Sequence, residues 1–125
     1  MREIKFRAWD ETISKMKYED ESIEVYQISY WRKYDFYKVM QYTGLKDKNG
    51  KEIYEGDILS VTEVDEDSAF GREETDIVRV AWVDEIAQWR AVYGTGRRKE
   101  LHFSVSLPTI VDCRVIGNIY ENPEF

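Results

Sequence analysis

Ile4, Phe6 and Ala8 alternate with Lys5, Arg7 and Trp9 at the start of the chain. A period of two puts each set on one face of a pleated strand, so residues 4–9 read as a half-buried strand. Asp10-Glu11-Thr12 reads as a turn, and Lys15 to Tyr18 as a second strand returning from it. Residues 23–43 carry two competing periods. Ile23, Tyr26, Tyr30, Tyr34 and Tyr37 fit a helical stripe, while Tyr26, Ile28 and Tyr30, then Tyr37, Val39 and Gln41, alternate. Aromatic and β-branched residues suit a pleated surface, so strands are expected, with room for a short helix around Trp31 to Tyr37.

Turn chemistry divides the remainder. In Lys46-Asp47-Lys48-Asn49-Gly50-Lys51, Asn-Gly supplies two residues that tolerate positive φ, as a tight hairpin requires. Glu55-Gly56-Asp57 is a second turn and launches a strand over Ile58 to Val64. Further strands are expected at Ile77 to Val83 and Gln88 to Tyr93, joined by the short loop Asp84-Glu85-Ile86-Ala87. Leu101, Phe103, Val105 and Leu107 alternate before Pro108, and Cys113 to Tyr120 is the last strand before Asn122-Pro123. Short strands separated by turns every 8–12 residues or so are the pattern of a small closed β structure. The fold class expected is mainly β, with a β-rich α+β arrangement as its variant. The 125 residues form one domain, with an N-terminal β-hairpin or α+β layer over 1–44 and a compact barrel over 52–125.

Composition narrows the function classes. One Cys and one His exclude an internal disulfide and a Cys/His zinc site, and no cofactor is implied. The chain has no apolar run of membrane-spanning length and no signal-peptide pattern after Met1, so a cytoplasmic protein with no membrane contact is expected. The formal net charge is −7, and most of it lies in Glu63 to Asp76, where Arg72 is the single cation. Such a block reads as a solvated loop. Asp65 and Asp67 match the opening of a Ca²⁺-binding loop, but Ala69 and Phe70 stand where a ligand and a glycine belong, and Gly71 arrives one residue late.

Tyr30-Trp31-Arg32-Lys33-Tyr34-Asp35-Phe36-Tyr37-Lys38 interleaves rings with cations, the mixture that single-stranded nucleic acid needs for stacking and phosphate contact. Tyr30, Trp31, Arg32, Lys33, Tyr34, Tyr37 and Lys38 are the candidate residues, with Arg97, Arg98 and Lys99 of a second basic turn. The bland alternative is core aromatics alternating with solvated charges, and the negative net charge opposes a polyanion at long range. Gly94-Thr95-Gly96-Arg97-Arg98-Lys99 lacks the third glycine of a dinucleotide loop and is better read as a hairpin with a basic tip. His102 sits in an alternating strand with no recognisable catalytic partner. Cys113, beside Asp112 and Arg114, reads as a small buried side chain. No catalytic residue is assigned, and an enzyme with an unrecognised site stays open.

Three segments together resemble the YopX family of bacteriophage and prophage proteins. They are Ile4 to Asp10 with Lys15-Met16, Met40 to Ile58, and Val115 to Glu124. The resemblance implies a phage or prophage origin, an unassigned biochemical role, and a C-terminal part similar to SH3-like barrels, with Gly56-Asp57 opening the first barrel strand. It supplies no catalytic residues. The same segments have a structural reading, since their glycines suit turns and Trp9 and Tyr54 pack with one edge wet. The leading expectation is a non-catalytic accessory protein that binds a host or phage protein. Self-association and single-stranded nucleic-acid binding are the alternatives.

Overall fold

A computed structural model describes residues 3–19, 27–64, 73–93, 104–106 and 112–123. The chain is mainly β. Strands β1 (Phe6–Asp10) and β2 (Lys15–Tyr18) precede a short helix, α1 (Gln27–Trp31). They are followed by β3 (Tyr37–Lys46), β4 (Glu52–Tyr54), β5 (Asp57–Val64), β6 (Glu73–Val83), β7 (Gln88–Tyr93), β8 (Ser104–Ser106) and β9 (Cys113–Asn118). Two antiparallel sheets result, in the orders β2-β1-β3-β4 and β8-β7-β6-β5-β9. In the second sheet four consecutive strands meander and β9 returns beside β5. Leu59 and Val61 of β5, Val78 and Val80 of β6, Trp89 and Ala91 of β7 and Cys113 of β9 form one core, and Ile53 of β4 enters it from the first sheet. Each buried aliphatic side chain there contributes about 1.5–3 kcal/mol.

Several expectations change. β1 is buried on both faces from Arg7 to Asp10, because it lies between β2 and β3 and against the second sheet. The residues 27–31 are helical, not extended. Trp31 is 4% exposed, so burying its indole decides the local conformation over β propensity. The expected helix around Trp31 to Tyr37 is absent: Trp31 ends α1, Tyr37 begins β3, and turns link them, with Tyr34 N donating to Trp31 O at 3.4 Å and Tyr37 N to Tyr34 O at 3.2 Å. At Asn49-Gly50 only Gly50 has positive φ, +81°. The Asp47 carboxylate organises this turn instead, accepting from the N–H groups of Asn49 (2.9 Å) and Lys51 (2.8 Å). The acidic stretch is not one loop. Glu63 lies within β5 and Glu73 to Asp76 belong to β6, with Glu63 paired to Glu74, because backbone pairing continues past the apolar positions. Residues 65–72 lie outside the described residues.

Two polar links bind the sheets. Arg7 and Asp57 are 3% and 1% exposed, and Arg7 Nη2 donates to Asp57 Oδ1 at 2.8 Å. The same nitrogen donates to the Glu55 carbonyl at 3.2 Å, Asp57 Oδ2 accepts from Tyr54 N at 2.8 Å, and the guanidinium lies 4.7 Å from the Tyr54 ring centroid. Burial pushes the Asp57 carboxyl above its ordinary value, and the Arg7 charge and the Tyr54 N–H pull it back. The second link is Asp47, whose Oδ2 accepts from Val115 N at 2.9 Å while Lys48 N donates to Cys113 O at 2.9 Å. These bonds occupy the outer edge of β9, which would otherwise invite another strand. Burial works to raise the Asp47 carboxyl, but the N–H groups of Val115, Lys51 and Asn49 outweigh it and hold the group below the usual carboxylate range.

Removing Arg7 alone strands a buried carboxylate. Arg7→Met is expected to cost about 3–5 kcal/mol in urea unfolding, and adding Asp57→Asn is expected to restore part of that loss. The lowered Asp47 value means that its stabilisation is complete above the unfolded carboxylate value of about 3.9 and is lost as pH falls through the lower folded value. Asp47→Asn is therefore expected to cost about 1–3 kcal/mol at neutral pH, and the difference from the parent is expected to shrink in acid unfolding below about pH 4.

Candidate functional site

The two sheets do not close flush against each other. A hollow of about 290 Å³ is lined by Gln41, Glu55, Trp82 and Trp89. A neighbouring hollow of about 170 Å³ shares Glu55 and Trp82 and adds Arg79, Gly56, Met40 and Tyr120 among its walls. Together they make an open cleft where the β4–β5 turn crosses β6 and β7.

Hairpin geometry sets the aromatic wall. β6 and β7 are joined by a short 3₁₀ turn, Asp84–Ile86, followed by Ala87 in the left-handed region at φ +49°. That tight connection fixes the register and places Trp82 directly opposite Trp89. Their rings lie 5.1 Å apart at an interplanar angle of 68°. Trp89 is buried, whereas Trp82 is 39% exposed and donates from Nε1 to Asp84 Oδ1 at 2.8 Å. A large apolar ring is thus held rigidly at the surface. The opposite wall is the β4–β5 turn. Glu55 N donates to Gln41 O, Gly56 N to Val80 O, and Ile119 N to Gly56 O, each at 2.9 Å. Burial pushes the Glu55 carboxyl above its ordinary value; the Gln41 backbone N–H and the Arg7 charge pull it back, and the Asp84 charge adds to the rise. Beyond Gly56, Tyr120 stacks on Trp9 with centroids 6.0 Å apart.

Gly117 holds the turn that carries Tyr120. A Cβ there would meet Asn122 Oδ1 at 2.1 Å. That oxygen accepts from Asn118 N, while Asn118 Oδ1 accepts from Tyr120 N and Glu121 N.

The aromatic-basic residues separate in space. Trp31 is core and offers no stacking surface. Tyr30 and Tyr34 are 51% and 42% exposed and lie 5.4 Å apart, with Tyr37 and Phe36 beside them. Arg32 and Lys33 are exposed next to this cluster. Lys38 lies 3.9 Å from Glu11, and Lys17 covers the Tyr37 ring, with Nζ 5.3 Å from its centroid. Arg97, Arg98, Lys99 and His102 lie outside the described residues. Cys113 is buried, and burial pushes its thiol up. Among the described residues no three His, Cys, Asp or Glu side chains are grouped to hold a metal ion, and no helix is long and apolar enough to cross a membrane.

Glu55, Trp82, Trp89 and Gln41 were not marked by any motif. Two tryptophans at equal distance from the ends of a short hairpin loop are the signal that identifies the pair. Nothing local in the sequence brings Glu55 to them.

The family model described as YopX protein matches residues 5–125. No curated protein matches the chain. Among solved structures the chain is similar to the crystal structure of protein EF1440 from Enterococcus faecalis, with 26% identity and a TM-score of 0.57. The match covers 99% of this chain and 98% of that one.

Proposed function

This chain belongs to the YopX family, and on that premise we propose that it is a phage- or prophage-encoded accessory protein that acts in the bacterial cytoplasm as a non-catalytic binding module for another protein. The observation that carries this reading is Trp82. Its indole is exposed at the mouth of the cleft, backed by Trp89 and tied to Asp84, so little conformational freedom is lost when a partner covers it. Tryptophans in that setting dominate the energy of protein interfaces. The reading includes an SH3-like small barrel for the C-terminal part. Its support is the Gly56-Asp57 turn that opens β5 and the return of β9 beside β5.

A second reading, single-stranded nucleic-acid binding, draws on the exposed neighbours Tyr30 and Tyr34 beside Arg32 and Lys33. It takes second place because Trp31 is unavailable, the rings pack largely on one another, and the net charge is −7.

Affinity capture of the tagged chain during prophage induction, with nuclease treatment, tests the first reading. Trp82→Ala is expected to weaken recovery of the specific partner by about tenfold or more. Identical recovery with both proteins, or no reproducible partner, rejects it. Fluorescence anisotropy with single-stranded oligonucleotides at low salt tests the second. Its expected signature is micromolar binding that Tyr34→Ala weakens, and no binding at tens of micromolar rejects it.

A further inference from the structure

We propose that the Trp82–Trp89–Glu55 cleft receives a single cationic side chain, Lys or Arg, presented by the partner protein. The inference deepens the binding-module reading and rests on it.

Shape is the first argument. The two indoles pack edge to face at 68° and both border the hollow, and the negative faces of aromatic rings attract cations. A hollow of about 290 Å³ has room for one extended side chain. Charge is the second. Glu55 lines the hollow and is partly buried. Asp84 lies close by, fixed to Trp82 at 2.8 Å. An anionic occupant would face both carboxylates. A purely apolar one would bury Glu55 further and add nothing to the Gln41 N–H and the Arg7 charge that already oppose its desolvation. A cation is attracted by both carboxylates and by the rings. It also acts with the Gln41 N–H and Arg7 against the penalty that burial and Asp84 impose on the ionised Glu55 carboxyl. None of the four residues lining this hollow is a cation. Arg7 pulls on the Glu55 charge but its guanidinium is hydrogen-bonded to Asp57, and Arg79 lines the adjacent hollow, which Glu55 also borders, but not the one bounded by Trp89. The net charge of −7 steers a basic segment toward the surface before any contact forms.

The test uses the full chain labelled with ¹⁵N and follows the indole N–H resonances of Trp82 and Trp89. The probes are capped glycine-rich peptides carrying one central arginine, citrulline or leucine. The arginine peptide is expected to shift both indoles saturably at millimolar concentration. It is expected to bind about tenfold more tightly than citrulline, its neutral isostere, and to weaken as salt rises. Glu55→Gln is expected to reduce arginine to the citrulline level, and Glu55→Asp to retain part of the preference. Equal binding of the three peptides, binding of arginine that ignores salt, or no indole shift with any peptide overturns the cationic occupant. These failures are distinct from failure of the binding-module reading, which is decided by partner recovery with Trp82→Ala.

Discussion

A guanidinium withdrawn from water must meet a carboxylate, and here Arg7 of β1 meets Asp57 at the start of β5. The pair stands at the junction of the two sheets, and both side chains are almost fully enclosed. Neither residue is tolerable in that position without the other. Their hydrogen bonds reach further than the pair itself. Arg7 also fixes the Glu55 carbonyl, and Asp57 fixes the Tyr54 amide, so the β4–β5 turn is held from both sides. Buried ion pairs of this kind add little net stability compared with an apolar core. What this one supplies is registration: it sets where the first sheet sits on the second.

The cleft follows from that registration. With the β4–β5 turn pinned, Glu55 projects toward the β6–β7 hairpin, and the paired tryptophans stand across from it. The Asp47 turn does the complementary work at the other end of the junction. It ties β9 to the first sheet and covers an edge that would otherwise be open to other chains. One carboxylate therefore orients the binding face, and another closes off a competing one.

Much of the strand pattern was legible because period-two alternation and turn residues are local properties. The β1–β2 hairpin, the Asp84 to Ala87 connection and the β9 segment all follow from neighbouring residues. Residues 27–31 were not legible. Gln27 to Trp31 contain no strong helix signal, and only the pocket that buries Trp31 makes a helical turn favourable there. The same holds for Arg7. Its alternation with Trp9 reads as a solvent-facing charge, and the carboxylate that reverses this lies fifty residues away. Of the candidate binding residues, Tyr30 and Tyr34 kept the exposure that their setting suggested, whereas Trp31 did not. The Trp82–Glu55 cleft joins three separate segments, so no single motif encodes it.

The return of β9 beside β5 also constrains how the protein is made. A ribosome delivers Arg7 long before Asp57, and β5 long before the strand that flanks it. Cys113–Asn118 emerges only after β6, β7 and β8 have been made. The meander of β5 to β8 is local, but the β5–β9 pairing that completes the sheet joins segments distant in sequence, which slows folding relative to wholly local pairing. A nascent or prematurely terminated chain ending before Cys113 presents β5 as a bare apolar edge, and such a fragment is a substrate for chaperones and proteases rather than a smaller working version of the protein.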